Sequence, residues 1–383
     1  MSQRTEIGVG MVGYAFMGRA HSLAWNTVGR VFDVPLAPRL AAICGRDRAA
    51  ARAAAGRLGW AAVETDWRAL IARDDVQLID IAAPGDLHAP IATAALAAGK
   101  HVLCEKPLAN TLGEAEAMKA AADAAFGRGA RAMVGFNYRR VPALALARQL
   151  VADGRIGPLR HVRAVYLQDW LADPEAPMTW RMEAERAGSG ALGDLGAHIV
   201  DLARYLTGDE ITGVSAVSAT FVGERPHPGA AGGTGTVTVD DAVVFTARLA
   251  SGALASFEAT RYATGRKNGL RIELNGAGGS LAFDLERLNE LEFFDARDAG
   301  GTASGFRRVL VTEGSHPYLS GWWPPGHTLG WEHTFTHQAR DLLTAIADGG
   351  QPLPSFADGL AVQRVLDAVQ RSAASGNAWE SVT

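Results

Sequence analysis

The sequence predicts an α/β protein of two domains: a doubly wound parallel sheet over residues 1–138, then an α/β domain over residues 139–383 whose sheet is mainly antiparallel. Three observations carry this. From Glu6 to Phe136 short apolar runs alternate with alanine-rich stretches, the pattern of successive βαβ units. After Tyr138 strand-like runs begin to follow one another across short turns, which makes hairpins and an antiparallel sheet. A chain of 383 residues, 48% apolar and 20% charged, has the length and composition for two ordinary cores.

In the first domain, strands are expected at Ile7–Val12, Leu40–Cys44, Leu78–Ala83, His101–Cys104 and Ala132–Phe136. Each is an apolar run bounded by turn residues, as a strand buried on both faces requires. Helices are expected near Met17–Ala24, Arg48–Arg57, Asp66–Ile71, His88–Ala98 and Leu112–Ala125. In the second domain a helix at Pro142–Val151 precedes a strand at Leu159–Leu167, and a helix near Leu195–Leu206 aligns Leu195, Ile199, Leu202 and Leu206 on one face. Val243–Leu249 and Ala253–Thr260 then flank the turn Ser251-Gly252, and Arg271–Leu274 faces Ser280–Phe283 across a glycine-rich turn. Residues Pro226–Thr236 read as a surface loop rich in Gly and Pro. Helices at Glu332–Ala347 and Asp358–Ser375 close the chain.

A GxGxxG pattern and a variant of it with alanine in the middle overlap at Gly13. Gly8, Gly10 and Gly13 match the first but lie mostly inside the first strand, where they would serve no phosphate. Gly13-Tyr14-Ala15-Phe16-Met17-Gly18 puts the first glycine at the turn and the third on the helix, the order a dinucleotide pyrophosphate needs. Ala15 takes the middle position, one methyl group larger than usual. Phosphate would sit on N–H groups at the helix N-terminus. The second strand ends in Cys44-Gly45-Arg46-Asp47. Arg46 can pair with a 2′-phosphate, which leans the cofactor toward NADP, whereas Asp47 is either a ribose partner for NAD or the N-cap of the next helix.

Lys106 follows the strand His101–Cys104, and the carboxyl ends of such strands are where α/β sheets bind ligands. Lysine is scarce here, four of 37 basic residues, and unlike arginine it can give up a proton. In Gly190-Ala191-Leu192-Gly193-Asp194-Leu195-Gly196-Ala197-His198 a carboxylate and an imidazole are four residues apart, one helical turn on the same side.

These residues resemble the Gfo/Idh/MocA oxidoreductases. The resemblance spans nearly the whole chain and rests on the glycine loop with Gly18-Arg19-Ala20-His21, on Pro84-Gly85-Asp86-Leu87-His88, on Gly99 through Glu105-Lys106-Pro107, and on Gly190 through His198. Tyr166-Leu167-Gln168-Asp169-Trp170 and Thr179-Trp180-Arg181 are similar to the branch containing levoglucosan dehydrogenase and inositol dehydrogenase-like proteins. The resemblance implies an N-terminal Rossmann domain, a C-terminal α/β domain with an open-faced sheet, and a homodimer or homotetramer formed through that sheet. It implies Lys106 and His198 as the chemical pair with Asp194 orienting substrate, and a cis peptide bond before Pro107. Pro84 and His88 fall with the cofactor-binding residues Gly13, Ala15, Phe16, Met17, Gly18, Arg46, Glu105 and Lys106, with Glu105 holding Lys106. The chemistry suits the side chains: a neutral imidazole takes a hydroxyl proton as hydride leaves carbon, and a cation steadies the alkoxide.

Substrate-side candidates are Asn137 and Tyr138 where the last parallel strand ends, Asp169, Trp170, Arg261 at a strand end, and Trp323 and His327 in a Pro-rich loop. Aromatic faces with polar tips suit the C–H faces and hydroxyls of a sugar ring. His227, His316, His333 and His337 show no metal-ligand spacing, so no metal is expected. A net charge of −4 and a pI near 6.2 give no footprint for nucleic acid. Residues 1–6 lack the apolar segment of a secretory signal, no run reaches membrane-spanning length, and Cys44 and Cys104 stand alone, so a cytoplasmic protein with reduced thiols is expected. The expected activity is an NAD(P)-dependent dehydrogenase of a cyclic polyol, sugar or anhydrosugar. Its rivals are a glycosidase using NAD without net redox, exchange between two sugars on a retained cofactor, and a noncatalytic nucleotide-binding protein.

Overall fold

The computed structural model describes residues 5–229, 232–298 and 300–383. The extreme N-terminus, residues 1–4, and the tip of the expected Gly/Pro-rich loop, residues 230–231, lie outside the described residues. Contacts group residues up to Arg140 with Gly330–Ala361 in one unit, and Val141–Leu329 with Val362–Thr383 in another.

The first unit holds six parallel strands, β1 (Thr5–Val12), β2 (Leu36–Cys44), β3 (Ala62–Glu64), β4 (Leu78–Ile81), β5 (His101–Cys104) and β6 (Ala132–Val134), in the order β3-β2-β1-β4-β5-β6. That is the doubly wound dinucleotide order, whose switch point lies between β1 and β4. Between the strands run α1 (Phe16–Val31), α2 (Arg48–Leu58), α3 (Trp67–Ile71), α4 (His88–Ala97) and α5 (Leu112–Phe126). Because helices cover both faces, Val9, Met11, Ile43, Ile79, Ile81 and Val102 are fully buried, and the strands read as continuous apolar runs. At α5, Thr111 and Glu114 form a reciprocal capping box, worth about 1 kcal/mol.

Gly8 and Gly10 serve packing. A Cβ at Gly8 would lie 1.9 Å from the carbonyl oxygen of Asp75, and one at Gly10 would lie 2.9 Å from Val76. Gly8→Val is therefore expected to cost about 3 kcal/mol or more through overpacking, seen as a loss of soluble, cooperatively melting protein. A folded variant with the wild-type Tm would contradict this.

The second unit begins with α6 (Pro142–Ala152) and β7 (Leu159–Leu167), continues through α7 (Ala184–Ala187) and α8 (Ala197–Thr207), and then becomes mostly strand: β8 (Ile211–Ala219), β9 (Glu224–Pro226), β10 (Thr234–Thr236), β11 (Ala242–Leu249), β12 (Leu254–Thr260), β13 (Gly269–Gly276), β14 (Gly279–Asp284), β15 (Glu290–Asp295), β16 (Arg307–Leu310) and β17 (Glu380–Ser381). Nine of these form one sheet, in the order β16-β15-β14-β13-β7-β12-β11-β8-β17, antiparallel except for the β7–β12 pair. Helices α6 and α8 pack on one face. The other presents Arg163, Val217, Val244, Thr246, Leu254 and Ser256 to solvent. The sheet is open-faced, as the resemblance implies. The expected Pro226–Thr236 loop is flanked by a small hairpin, with Thr234 opposite Pro226.

Helix α9 (His333–Asp348) belongs to the first unit, where Phe335 packs on Ala20 and Ala24 of α1. The same segment is tied in by Asn137 Nδ2 donating to Thr334 Oγ1 at 2.9 Å, by His337 Nδ1 at 2.9 Å from the Arg140 carbonyl, and by Val134 N donating to Pro354 O at 3.0 Å. Helix α10 (Phe356–Ala374) follows. Among the described residues no helix is long and apolar enough to cross a membrane.

Candidate active site

In the first unit the glycine loop takes the second register. Strand β1 stops at Val12, and Gly13 turns with φ +102°, its N–H donating to Cys44 O at 3.0 Å. A Cβ there would lie 2.4 Å from Ala82 O, and one at Gly18 would lie 2.2 Å from Gly13 O, so only glycine brings β1, β4 and α1 this close. Helix α1 starts at Ala15 with no side-chain cap and no acidic residue in its first turn. Its first N–H groups are left to an anion, and the positive end of the helix dipole favours one. The geometry fits a pyrophosphate.

At the tip of β2, Asp47 is an N-cap: its Oδ1 accepts from Ala49 N at 2.8 Å and Ala50 N at 3.0 Å. Arg46 is exposed. A side chain at Gly45 would meet the Tyr14 ring, 1.9 Å from Cε1 to the built Cβ, so Tyr14 occupies the place from which an acid at the strand tip would act.

Lys106 is half-buried after β5, and the Lys106–Pro107 peptide is cis. Buried Glu105 points back into the domain. Its Oε1 lies 3.0 Å from His21 Nε2, and its Oε2 accepts from the backbone N–H of Lys106 at 3.2 Å. His21 Nδ1 sits 2.9 and 3.0 Å from the two oxygens of buried Asp80, which also accepts from Trp25 Nε1 at 2.7 Å. Burial alone would lower the His21 pKa, but the charge of Asp80 and the bonds to both carboxylates outweigh it and push it up to about 10. His88 braces the same turn from the other side, its Nδ1 2.9 Å from Pro107 O and its Nε2 3.1 Å from Ala83 O. Burial holds its pKa below the ordinary histidine range.

Two aromatic residues border the glycine loop. Exposed Phe16 stacks on Trp331 at 5.3 Å and 10°, and Trp331 Nε1 donates to Tyr138 Oη at 3.3 Å.

In the second unit Asp194 lies in a π-helical turn, Leu192–Gly196, that runs into α8 and His198. Ala197 N bonds back to Leu192 O, a spacing of five, and single π turns inside helices recur at functional sites. His198 is buried, its ring centroid 5.8 Å from that of Tyr166 with the two planes at 60°. The entry to this turn is braced by Asp240, which lies just before β11. Asp240 accepts from Gly190 N at 2.7 Å and Leu192 N at 2.8 Å, and a Cβ at Gly190 would strike Asp240 O at 1.7 Å.

Residues 7–136 match the profile of the oxidoreductase family with an NAD-binding Rossmann fold, and residues 144–282 match the GFO/IDH/MocA C-terminal domain. The chain belongs to the Gfo/Idh/MocA oxidoreductases. Levoglucosan dehydrogenase from Pseudarthrobacter phenanthrenivorans is 43% identical over 98% of each chain. A crystal structure of an oxidoreductase domain protein from Kribbella flavida is 63% identical, covers 99% of this chain and 100% of its own, and superposes with a TM-score of 0.96. A levoglucosan dehydrogenase complex with NADH and levoglucosan is 44% identical, with 99% and 100% covered and a TM-score of 0.94. The first unit is thus the NAD-binding domain of an NAD-dependent oxidoreductase of this family.

Several candidate residues lie where they brace the protein. Arg261 is fully buried, donating from Nη1 to Arg181 O at 3.3 Å and from Nη2 to Asp240 O at 3.1 Å, so it supports the turn before Asp194 from behind. His88 and Asn137 tie main-chain turns and the Gly330–Ala361 segment, as given above. Glu105 holds the main-chain N–H of Lys106 and the ring of His21. Asp169 accepts from Lys267 Nζ at 2.7 Å and Gly265 N at 3.0 Å, and the Lys267 ammonium lowers its pKa. His327 Nδ1 is 2.8 Å from the Pro324 carbonyl of its own loop. Trp170 and Trp323 stay 41% and 57% exposed, with the Arg261 guanidinium 5.5 Å over the Trp170 ring. Pro84 and Met17 are half-buried beside the glycine loop. Sequence alone gives no role to Asp80, Asp240 or Trp331, nor to His21 beyond its place in the motif Gly18-Arg19-Ala20-His21. The dipeptide Gly330-Trp331 before a helix was the one local signal for Trp331. Among the described residues no cluster of three or more metal-ligand side chains occurs.

Proposed function

We propose that the chain oxidises a secondary hydroxyl of a cyclic polyol, sugar or anhydrosugar with transfer of hydride to nicotinamide. The observation that carries the substrate class is the full-length likeness to levoglucosan dehydrogenase. In this reading bound NAD or NADP supplies the hydride acceptor, and the residues of the chain handle the proton and the charge. His198 takes the hydroxyl proton as neutral imidazole, Lys106 stabilises the developing alkoxide, and Asp194 orients the hydroxyl. The uncapped start of α1 holds the pyrophosphate. Trp170 and Trp323 offer faces for a sugar ring. A cytoplasmic homodimer or homotetramer paired through the open face of the nine-stranded sheet belongs to the same reading. The test is a screen of purified protein against levoglucosan, inositols and common sugars with NAD and NADP, followed by absorbance of the reduced nicotinamide. Release of free sugar without reduced cofactor, or no turnover with any ring, would overturn it.

Cofactor choice turns on Arg46. With Asp47 spent as an N-cap and Tyr14 filling the tip, nothing on β2 repels a 2′-phosphate, and the exposed guanidinium can fork onto it. NADP is expected to serve at least as well as NAD. Arg46→Ala should weaken NADP about tenfold or more, the worth of a charged hydrogen bond, and leave NAD unchanged. A wild type that strongly prefers NAD, with neither affinity moved by Arg46→Ala, would place Arg46 in solvent.

A further inference from the structure

We propose that His21 is a positioning residue for the Lys106 turn: held by Asp80, it clamps the Glu105 carboxylate, and Glu105 in turn fixes the main chain of Lys106. This rests on the reading of Lys106 as a residue that acts on substrate.

The geometry is a continuous chain of bonds through the buried interior of the first unit. The Trp25 indole donates to Asp80, both Asp80 oxygens lie within 3.0 Å of His21 Nδ1, His21 Nε2 lies 3.0 Å from Glu105 Oε1, and Glu105 Oε2 takes the Lys106 N–H at 3.2 Å. Partners on both ring nitrogens are carboxylates, which only accept. A neutral imidazole has one donor, so its single in-plane lone pair would face a carboxylate, and the arrangement calls for the imidazolium. Asp80 is fully buried, His21 is 1% exposed and Glu105 is 5% exposed. A buried ionic triad is a costly way to fill a core, because apolar residues of similar volume do it as well or better. What the triad adds is direction. Asp80 lies in β4 and Glu105 caps β5, so the clamp reaches the sheet's carboxyl edge at the residue before Lys106. Gly135 fences the carboxylate from the other side, since a Cβ there would lie 2.6 Å from Glu105 Oε1. The charged groups that act on His21 are Asp80 and Glu105, with the Cys104 thiol held neutral by burial, the uncharged Phe335 ring beside His21 and the Trp25 indole on Asp80.

The clamp has a pH signature. The folded pKa of His21, about 10, lies above its unfolded value near 6.5. Its contribution to stability is therefore full below about 6.5 and is lost as pH rises from there through about 10. Asp80→Asn removes the carboxylate that raises the His21 pKa most and moves that loss to lower pH.

The test uses the full-length enzyme with the sugar and cofactor that give turnover in the screen above. Nitrogen-15 spectra at pH 8 should show both His21 nitrogens protonated. His21→Gln should bind cofactor within about threefold of wild type but lose kcat tenfold or more. Asp80→Asn should turn over near the wild-type rate at pH 6 and lose activity at least one pH unit earlier on the alkaline side. A neutral His21 at pH 8, or folded His21→Gln and Asp80→Asn enzymes with wild-type kcat and pH profile while Lys106→Ala is dead, would overturn the clamp alone. Wild-type kcat in Lys106→Ala would overturn the reading beneath it and the clamp together. If His21→Gln fails to fold, the spectra and Asp80→Asn still decide.

Discussion

His198→Ala keeps its affinity for cofactor and loses turnover by a factor on the order of a hundred to ten thousand, the range a positioned general base contributes. At 1.36 kcal/mol per decade that is about 2.7 to 5.4 kcal/mol of transition-state stabilisation. His198 is buried against Tyr166, so the alanine variant also opens a small cavity. His198→Asn is the control, because it keeps most of the volume and a polar head but cannot take a proton near neutral pH. Both should fail alike in kcat, while a cofactor titration by tryptophan fluorescence shows an intact binding domain. Lys106→Arg should fail nearly as badly as Lys106→Ala. The lysine is half-buried on a braced turn, and a planar fork of five donors does not fit the seat of a compact ammonium. Wild-type turnover in either His198 variant would remove the base from the mechanism.

Much of this was legible from sequence because the signals are local. The register of the glycine loop follows from the order strand, turn, helix, and Gly13 at φ +102° is where that order puts it. Lys106 was readable because β5 ends two residues before it, at Cys104. The hairpins of the second unit announce themselves by two apolar runs around a turn, and Phe245 pairs with Phe257 accordingly. What stayed hidden depends on distant partners. His21 stands in a motif of the glycine loop, but its partners Asp80 and Glu105 are 59 and 84 residues away, so its role does not show locally. Arg261 ends a strand, which suggested a ligand, but the chain turns its guanidinium inward to carbonyls of Arg181 and Asp240. The return of Gly330–Ala361 to the first unit has no composition shift to mark it. It is made by contacts between distant residues, Phe335 packing on Ala20 and Ala24 and Asn137 bonded to Thr334, 197 residues apart. Strand β3 is three residues long, too short for any periodicity to show.

Ala15→Asp should make the protein more stable and nearly unable to bind its cofactor. Ala15 is the N-cap of α1, in extended conformation at φ −74° and ψ −154°, exposed, and without a side-chain hydrogen bond to the helix. Aspartate is among the best residues for that position, and its carboxylate would take the open N–H groups of the first turn and meet the helix dipole with the right sign, a gain of about 1 kcal/mol. Those are the groups proposed to hold the pyrophosphate. A fixed negative charge there competes for the same donors and repels the ligand, so cofactor affinity should fall on the order of a hundredfold, about 2.7 kcal/mol. The two effects have opposite signs, which separates them from general damage. Thermal melting of the ligand-free protein reads the first, and titration with NAD and NADP reads the second. A higher Tm with unchanged affinity for both cofactors would mean that the phosphates bind away from the start of α1.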